Sequence, residues 1–354
     1  LTELLAQIPP ALEIAGRRMG SGYPAFIIAE IGVNHNGDVN LAQALIDTAA
    51  DCGADAVKLQ TFSTARLVTA TAEKAEYQQR DASASQAEML ARLELSEADH
   101  ILLKAHAEKR GLVFLSTPFD EDSADLLERL DVTAFKVSSG DLTHLPLLRH
   151  MARKGRPMLI STGMANLAEV EAAIDAIESV GNPRILIFHC VSAYPTDPVD
   201  ANLRAIPMMA RAFPHPIGWS DHTVDDAVGW AAIALGACAV EKHITLDRAM
   251  PGPDHAASAD PEQFRRYVEG IRTVEAALGD GRKKSRPVEA AVARVARRSL
   301  TAVRPIAAGA VIQDEDVAAL RPAGGLQPDE RSLIVGRKAS RAITVGEAFT
   351  LDMI

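Results

Sequence analysis

The sequence predicts an α/β protein, a (β/α)8 barrel joined to a small β-rich C-terminal domain. Three observations predict it. Eight short apolar runs alternate with amphipathic helical stretches. Polar and charged residues gather at the ends of those runs. Near residue 280 the alternation stops, and a shorter pattern punctuated by Gly and Pro replaces it.

The strand candidates are 26–30 (FIIAE), 55–59 (DAVKL), 112–116 (LVFLS), 133–137 (TAFKV), 157–161 (PMLIS), 185–189 (ILIFH), 216–219 (PIGW) and 237–241 (ACAVE). Helical patterns lie between them at 40–52, 97–109, 121–130, 144–154, 167–180, 202–212 and 225–235. In 40–52, Leu41, Ala44, Leu45, Thr48 and Ala49 recur at three-to-four spacing, and Asp38 stands where an N-cap belongs. In 167–180, Val170, Ala173, Ile174 and Ile177 form the buried stripe. Eight strand–helix units over about 270 residues match a (β/α)8 barrel in count and size. A doubly wound open sheet would carry a Gly-rich fingerprint after its first strand, and EIGVNHNG (30–37) is not one.

The segment before residue 26 predicts a hairpin capping the barrel bottom, and 61–90 a long excursion over the opposite face. The predicted domains are a barrel at 1–280, a linker at 281–296 and a β-rich module at 297–354. GDGRKKSRP (279–287) marks the start of the linker. In the module, Ser299–Val303 and 307–312 (AAGAVI) read as strand material, and RPIAAGAVI weakly resembles SRAITVGEAF.

Composition narrows the function. A net charge of −10 offers no electrostatic footprint for nucleic acid. No apolar run reaches the roughly 20 residues a membrane span needs. The opening LTELLAQIPP lacks the pattern of a signal peptide. Cys52, Cys190 and Cys238 show no paired spacing and read as buried small hydrophobes in a reducing compartment, so a cytoplasmic location is expected.

The polar residues at the strand ends carry the chemistry. They include Glu30, Lys58, Gln60, Thr117, Lys136, Ser139, Asp141, Ser161, His189, Tyr194, Ser220, His222 and His243. A lone polar residue at a strand end is usually a cap or turn former. Eight strand ends carrying them together point to one site at the C-terminal face of a barrel. Two buried ammonium groups, Lys58 and Lys136, repel unless an anion lies between them. That anion is a phosphate or carboxylate of a substrate or, in the plainer reading, Glu30 or Asp141. A Schiff-base lysine is a third reading. His222 and His243, on consecutive strands, suit a labile divalent metal that polarises a carbonyl, with His35 within reach of the same pocket. Asp254, in the loop MPGPDHAAS (250–258), reads as a sugar-hydroxyl or acid–base group, or merely as a helix start.

These motifs resemble the sialic-acid (nonulosonate) synthases. The resemblance runs through AEIGVNHNGD, GADAVKLQTF, KAEYQ (74–78), EMLARLELS (88–96), STPFD, FKVSSGD, STGM, AYPT, SDHT, EKH, GPDH and the RP of 321–322. It implies a C-terminal antifreeze-like (SAF) domain and a domain-swapped homodimer, with that domain lying over the partner's barrel mouth. It implies condensation of phosphoenolpyruvate with an N-acetylated mannosamine, consuming water and releasing phosphate. By the same resemblance Lys58, Thr117, Lys136, Ser139, Ser161 and Ser220 hold phosphoenolpyruvate. His222 and His243 hold Mn2+, with Mg2+ or Co2+ as alternatives. Glu30, Gln60, Tyr194 and Asp254 contact the sugar or the reacting centre, and Arg321 of the partner subunit binds its N-acyl group. N-acetylmannosamine, giving N-acetylneuraminate, is the first expectation for the sugar. A 2,4-diacetamido-2,4,6-trideoxymannose, giving a legionaminic acid, is the second. Three departures stand out: Ser192 where some members carry Asn, Ala323 in the run after Arg321, and Asp141 in place of Glu.

Overall fold

The computed structural model describes residues 11–74 and 83–354. The motif at 74–78 therefore lies, beyond its first residue, outside the described residues. The chain divides into two compact units, Leu1–Gly279 and Asp280–Ile354.

The first unit is the barrel. Its eight parallel strands are β3 (Phe26–Gly32), β4 (Ala56–Thr61), β5 (Val113–Pro118), β6 (Phe135–Val137), β7 (Met158–Ser161), β8 (Ile185–Cys190), β9 (Ile217–Asp221) and β10 (Ala239–His243). The ladder runs β5-β4-β3-β10-β9-β8-β7-β6, and its two end strands, β5 and β6, pack side by side. Each of the eight apolar runs falls on one of these strands. The helices are α1 (Val39–Asp51), α2 (Thr64–Leu67), α3 (Gln86–Ala91), α4 (Glu97–Lys109), α5 (Glu121–Arg129), α6 (Leu145–Arg153), α7 (Leu167–Glu178), α8 (Ala205–Ala212), α9 (Asp226–Ala234) and α10 (Pro261–Leu278). Short polar caps start them: Asp38 accepts from the backbone N–H of Asn40, and Asn166 from those of Ala168 and Glu169. The predicted stripe on α7 is buried throughout.

Alternation along the strands builds two cores. Outward residues such as Ile27, Ala29, Val57, Phe135 and Val240 pack against the helices. Inward residues at the N-terminal ends, among them Phe26, Ile28, Ala56, Leu159 and Ala239, fill the barrel bottom. The hairpin β1 (Leu12–Ile14) and β2 (Arg17–Met19) joins this second core through Leu12, Ile14 and Met19. Two residues further along β3, β4, β7 and β10, the same face turns polar, at Glu30, Lys58, Ser161 and Glu241.

The second unit has its own apolar core, including Leu300, Ile306, Ile312, Ile343 and Phe349. Its one ladder among the described residues pairs β11 (Ser299–Ala302) with β12 (Val317–Leu320). The segments that resemble each other in sequence pair with each other. Ile306 and Ile343 exchange backbone hydrogen bonds of 2.9 and 2.8 Å. These contacts remain isolated bridges and do not extend into strands. Within 281–296, α11 (Ala290–Ala296) forms a short helix, consistent with the high helix propensity of its AAVARVA run.

Candidate active site

The mouth of the barrel encloses a cavity of about 400 Å3. Strand register assembles it. On neighbouring strands His243 pairs with Glu30, and Glu30 with Lys58, so three functional groups stand at one level. Gln60 likewise pairs with Thr117, and Glu241 with Ser220. The β3–β4 register shifts between Glu30 and Gly32. Gly32 sits there at φ +55°, and a Cβ would come within 3.2 Å of Glu30 Oε1 and 3.5 Å of both Gln60 and His243. Only glycine passes that corner without intruding on the site.

Lys58 donates to Thr117 Oγ1 at 2.9 Å and pairs with Glu30 Oε2 at 2.7 Å. Lys136 donates to Ser161 Oγ at 2.7 Å, and its ammonium lies 5.5 Å from the centre of the Phe188 ring. The group that joins the two lysines is Glu241. Its carboxylate lies 3.4 Å from Lys136 Nζ and 4.0 Å from Lys58 Nζ, and accepts from Ser220 Oγ at 3.1 Å. β10 and β6 are four strands apart around the ladder, so Lys136 and Glu241 meet across the barrel mouth. The sequence reading named Glu30 and Asp141 as counter-ions and did not consider Glu241.

Burial and charge set the protonation of this group. Burial pushes Glu30 upward, and Lys58 opposes without cancelling it, so Glu30 stays above the ordinary carboxylate range. Burial acts the same way on Glu241, but Lys136 and Lys58 outweigh it and hold Glu241 low and ionised. Burial lowers Lys136, with Glu241 partly compensating. For Lys58, Glu241 and Glu30 more than reverse the effect of burial. Burial raises Asp254 to about 6, opposed by Lys58.

Beside this cluster stand the two imidazoles, with ring centres 5.8 Å apart. Tyr194 packs beside both, 4.3 Å from His222 and 5.8 Å from His243. His222 Nδ1 lies 2.6 Å from the carbonyl of Val191, so it donates there and leaves a lone pair on Nε2. His243 Nδ1 has no hydrogen-bond partner, and Asp254 Oδ2 lies 3.8 Å away. Burial, with His222 and Lys58 nearby, lowers His243 to about 3, so its ring is neutral. Two neutral imidazoles, that of His222 oriented by its bond to Val191, fit a divalent ion that takes its other ligands from water and substrate. No group of three or more His, Cys, Asp or Glu poised for a metal occurs among the described residues.

Of the predicted site residues, Glu30, Lys58, Gln60, Thr117, Lys136, Ser139, Ser161, Tyr194, His243 and Asp254 line the cavity. Ser220 and His222 sit just behind its wall and touch each other at 3.3 Å. Ser192 also lines it, with an unpartnered buried hydroxyl. Gly163 brings its chain close to Ser139, whose hydroxyl accepts from Gly163 N at 3.0 Å. Asp141 is a correction: it does not line the cavity, because the hydroxyl of Ser138 takes up its carboxylate at the start of a 3-10 turn. His35 is another. It is fully buried outside the cavity wall, and its Nδ1 accepts from Gly37 N. His189 is structural, 3.0 Å from the Ala201 carbonyl and packed on Trp219. Arg321 belongs to the second unit.

A larger, more open hollow of about 1010 Å3 lies outside the mouth. Its buried acid, Asp226, is already taken by Gln263 and Arg266, so it offers no comparable chemistry.

Residues 45–283 match the model of the NeuB family, and 297–354 match that of the SAF domain. The chain belongs to the NeuB family. It is 47% identical over 341 residues to N,N'-diacetyllegionaminic acid synthase of Legionella pneumophila, covering 95% of this chain and 96% of that one. It is 36% identical to N-acetylneuraminate-9-phosphate synthase of Homo sapiens, covering 97% and 96%. Among solved structures it is similar to an N-acetylneuraminic acid synthetase of Leptospira borgpetersenii. That match has a TM-score of 0.71 and 32% identity, covering 80% of this chain and 94% of that one. As a NeuB family protein it is an enzyme, a carbon–carbon bond-forming transferase. No helix among its described residues is long and apolar enough to cross a membrane.

Proposed function

We propose that this NeuB family enzyme condenses phosphoenolpyruvate with 2,4-diacetamido-2,4,6-trideoxymannose, giving a legionaminic acid and inorganic phosphate. The carrying observation is the Lys58–Glu241–Lys136 constellation facing two neutral imidazoles within one cavity mouth. Higher identity to the legionaminic acid synthase, 47%, than to the N-acetylneuraminic acid synthetase of Leptospira borgpetersenii, 32%, favours this sugar over N-acetylmannosamine.

In this reading Lys58 and Lys136, with Thr117, Ser139, Ser161 and Ser192, bind the phosphate and carboxylate of phosphoenolpyruvate. Glu241 keeps both ammonium groups charged and spaced before the substrate arrives. His222 and His243 hold a divalent ion, Mn2+ in the first instance. When bound, it supplies Lewis-acid polarisation of the sugar's aldehyde oxygen. Gln60, Tyr194 and Asp254 orient the open-chain sugar, and Arg321 of a second copy meets its N-acyl group. C3 of phosphoenolpyruvate bonds to the aldehyde carbon, which leaves cationic character at C2. Water adds at C2 and gives its proton to Glu30, whose raised pKa suits both uptake and return. The C2–O bond of the phosphate ester then breaks, and phosphate leaves with the electron pair and that proton. The C2 hydroxyl gives its remaining proton to the oxygen of the former aldehyde, which leaves a ketone at C2 and a hydroxyl on the new carbon–carbon bond.

The test is phosphate release from phosphoenolpyruvate with Mn2+ and each sugar in turn. Release with the trideoxy sugar, abolished by chelation and restored by metal, is the expected result. Release with neither sugar sinks the proposal, and trapping of a lysine adduct by borohydride with pyruvate replaces it with a Schiff-base aldolase. The swapped dimer has its own test, co-expression of Arg321→Ala with Lys136→Ala chains. If Arg321 acts on the partner's barrel, mixed dimers recover about a quarter of wild-type activity, because half the dimers are mixed and each has one intact site. No recovery places Arg321 in its own chain's site.

A further inference from the structure

We infer that Leu67, Val68, Leu90 and Phe119 form the surface that reads C6 of the sugar, selecting a methyl group over a hydroxymethyl group. This rests on the condensation proposed above and adds which residues choose the substrate.

The cavity is chemically lopsided. The functional residues of its floor come from the strand ends, whereas Leu67, Val68, Gln86 and Leu90 come from the excursion between β4 and α4. Three of these four are apolar, and Phe119, just after β5, stands with them. They are not loose loop side chains. Leu90 belongs to a satellite core with Val33, Phe62, Met89 and Leu93, and Leu67, Val68 and Phe119 pack against it. Phe119 meets Phe62 edge-on, with centroids 6.1 Å apart and planes at 87°. The wall is therefore backed and shaped before any ligand enters.

The consequence is physical. The reacting aldehyde belongs near the imidazoles, so the far end of an extended sugar meets another part of the cavity. A methyl group on an apolar wall leaves water at no polar cost. A hydroxyl there gives up its water and meets carbon, with no hydrogen bond in return. A pocket of this kind discriminates by about 10- to 100-fold, not by exclusion.

The experiment uses the full-length metal-loaded enzyme and two sugars that differ only at C6. These are 2,4-diacetamido-2,4,6-trideoxymannose and its 6-hydroxy counterpart, compared by kcat/KM for phosphate release. The wild type is expected to prefer the 6-methyl sugar about 10- to 100-fold. Val68→Thr and Leu90→Asn are each expected to shrink that ratio several-fold, mainly by improving turnover of the 6-hydroxy sugar. Leu93→Ala is the structural control. It loosens the same satellite core from outside the cavity wall, so it is expected to lower Tm and leave the ratio unchanged. Equal kcat/KM for both sugars in the wild type overturns this inference and leaves the condensation standing. A wild-type preference that neither Val68→Thr nor Leu90→Asn alters also overturns it. No phosphate release with either sugar removes the condensation itself, and this inference with it.

Discussion

The two ends of the barrel are built from the same strand faces and hold opposite chemistry. On β10 the inward residues run Ala239, Glu241, His243. On β3 they run Phe26, Ile28, Glu30, and on β4 Ala56, Lys58, Gln60. A step of two residues thus takes each strand from a packed apolar plug to a buried charge. The bottom keeps its shape by packing, closed by Leu12, Ile14 and Met19 of the hairpin. The mouth keeps its shape by hydrogen bonds and by balancing two lysines against two glutamates. Fold and function are therefore segregated along one axis, and substitutions at the two ends should fail in different ways.

The largest expected effect comes from exchanging the two chemistries. Leu159→Lys puts an unpaired charge into the plug, at a cost of several kcal/mol, and should leave little folded protein. Lys136→Met removes a charge from the mouth. It should still fold, with a lowered Tm because Glu241 keeps only Lys58 as a buried partner, and lose about 10²- to 10³-fold in kcat/KM. Thermal unfolding and phosphate release, measured side by side, separate the two outcomes. A Lys136→Met protein that is folded and fully active would remove Lys136 from the chemistry.

Glu241→Gln sharpens the contrast within the mouth itself. The substitution keeps the shape and removes the charge that faces Lys136 and Lys58. Breaking a buried pair from one side costs about 3–5 kcal/mol. An anion that fills the gap should return part of it, so this variant's Tm should rise with added inorganic phosphate more steeply than the wild type's. Identical phosphate dependence in both proteins would mean that Glu241 does not organise the anion site.

Much of this was legible in the sequence, for reasons the structure makes explicit. Strand positions followed from apolar runs of the right length, and the mouth followed from polar residues placed just after them. Glu241 was missed because VEKH draws attention to its histidine. Two signals were available: Glu241 lies two residues before His243 and so on the same face, and two lysines in one mouth demand a buried carboxylate. Asp141 was over-read because closeness to a strand end says nothing of side-chain direction, and Ser138, three residues earlier, had already captured it. The apolar wall was invisible for a different reason. Leu67, Val68, Leu90 and Phe119 are far apart in sequence and carry no motif, and only packing brings them to one cavity.

The smallest expected effect concerns pH, and it again divides the two ends. At the bottom, the buried carboxylate of Asp55 is matched by Arg17 and Arg272 and accepts from the backbone N–H of Ile27. Beside the mouth, His35 and His255 are fully buried, each with an unpartnered Nε2. Burial lowers both to about 4, helped at His35 by the neighbouring His100 and opposed at His255 by Asp247. An unfolded histidine titrates near 6.5. Between pH 6.5 and 4 the unfolded chain therefore takes up protons that the folded chain refuses. Stability from these two residues is complete above pH 6.5 and drains away as the pH falls toward 4, by about 3 kcal/mol for each. Urea midpoints measured from pH 7.5 down to 4.5 should decline in the wild type. The decline should be shallower in His35→Asn, where the amide oxygen can still accept from Gly37 N, and shallower again when His255→Asn is added. If the slopes of the variants match the wild type, the acid sensitivity lies in other groups, and the mouth is no more vulnerable to protons than the plug beneath it.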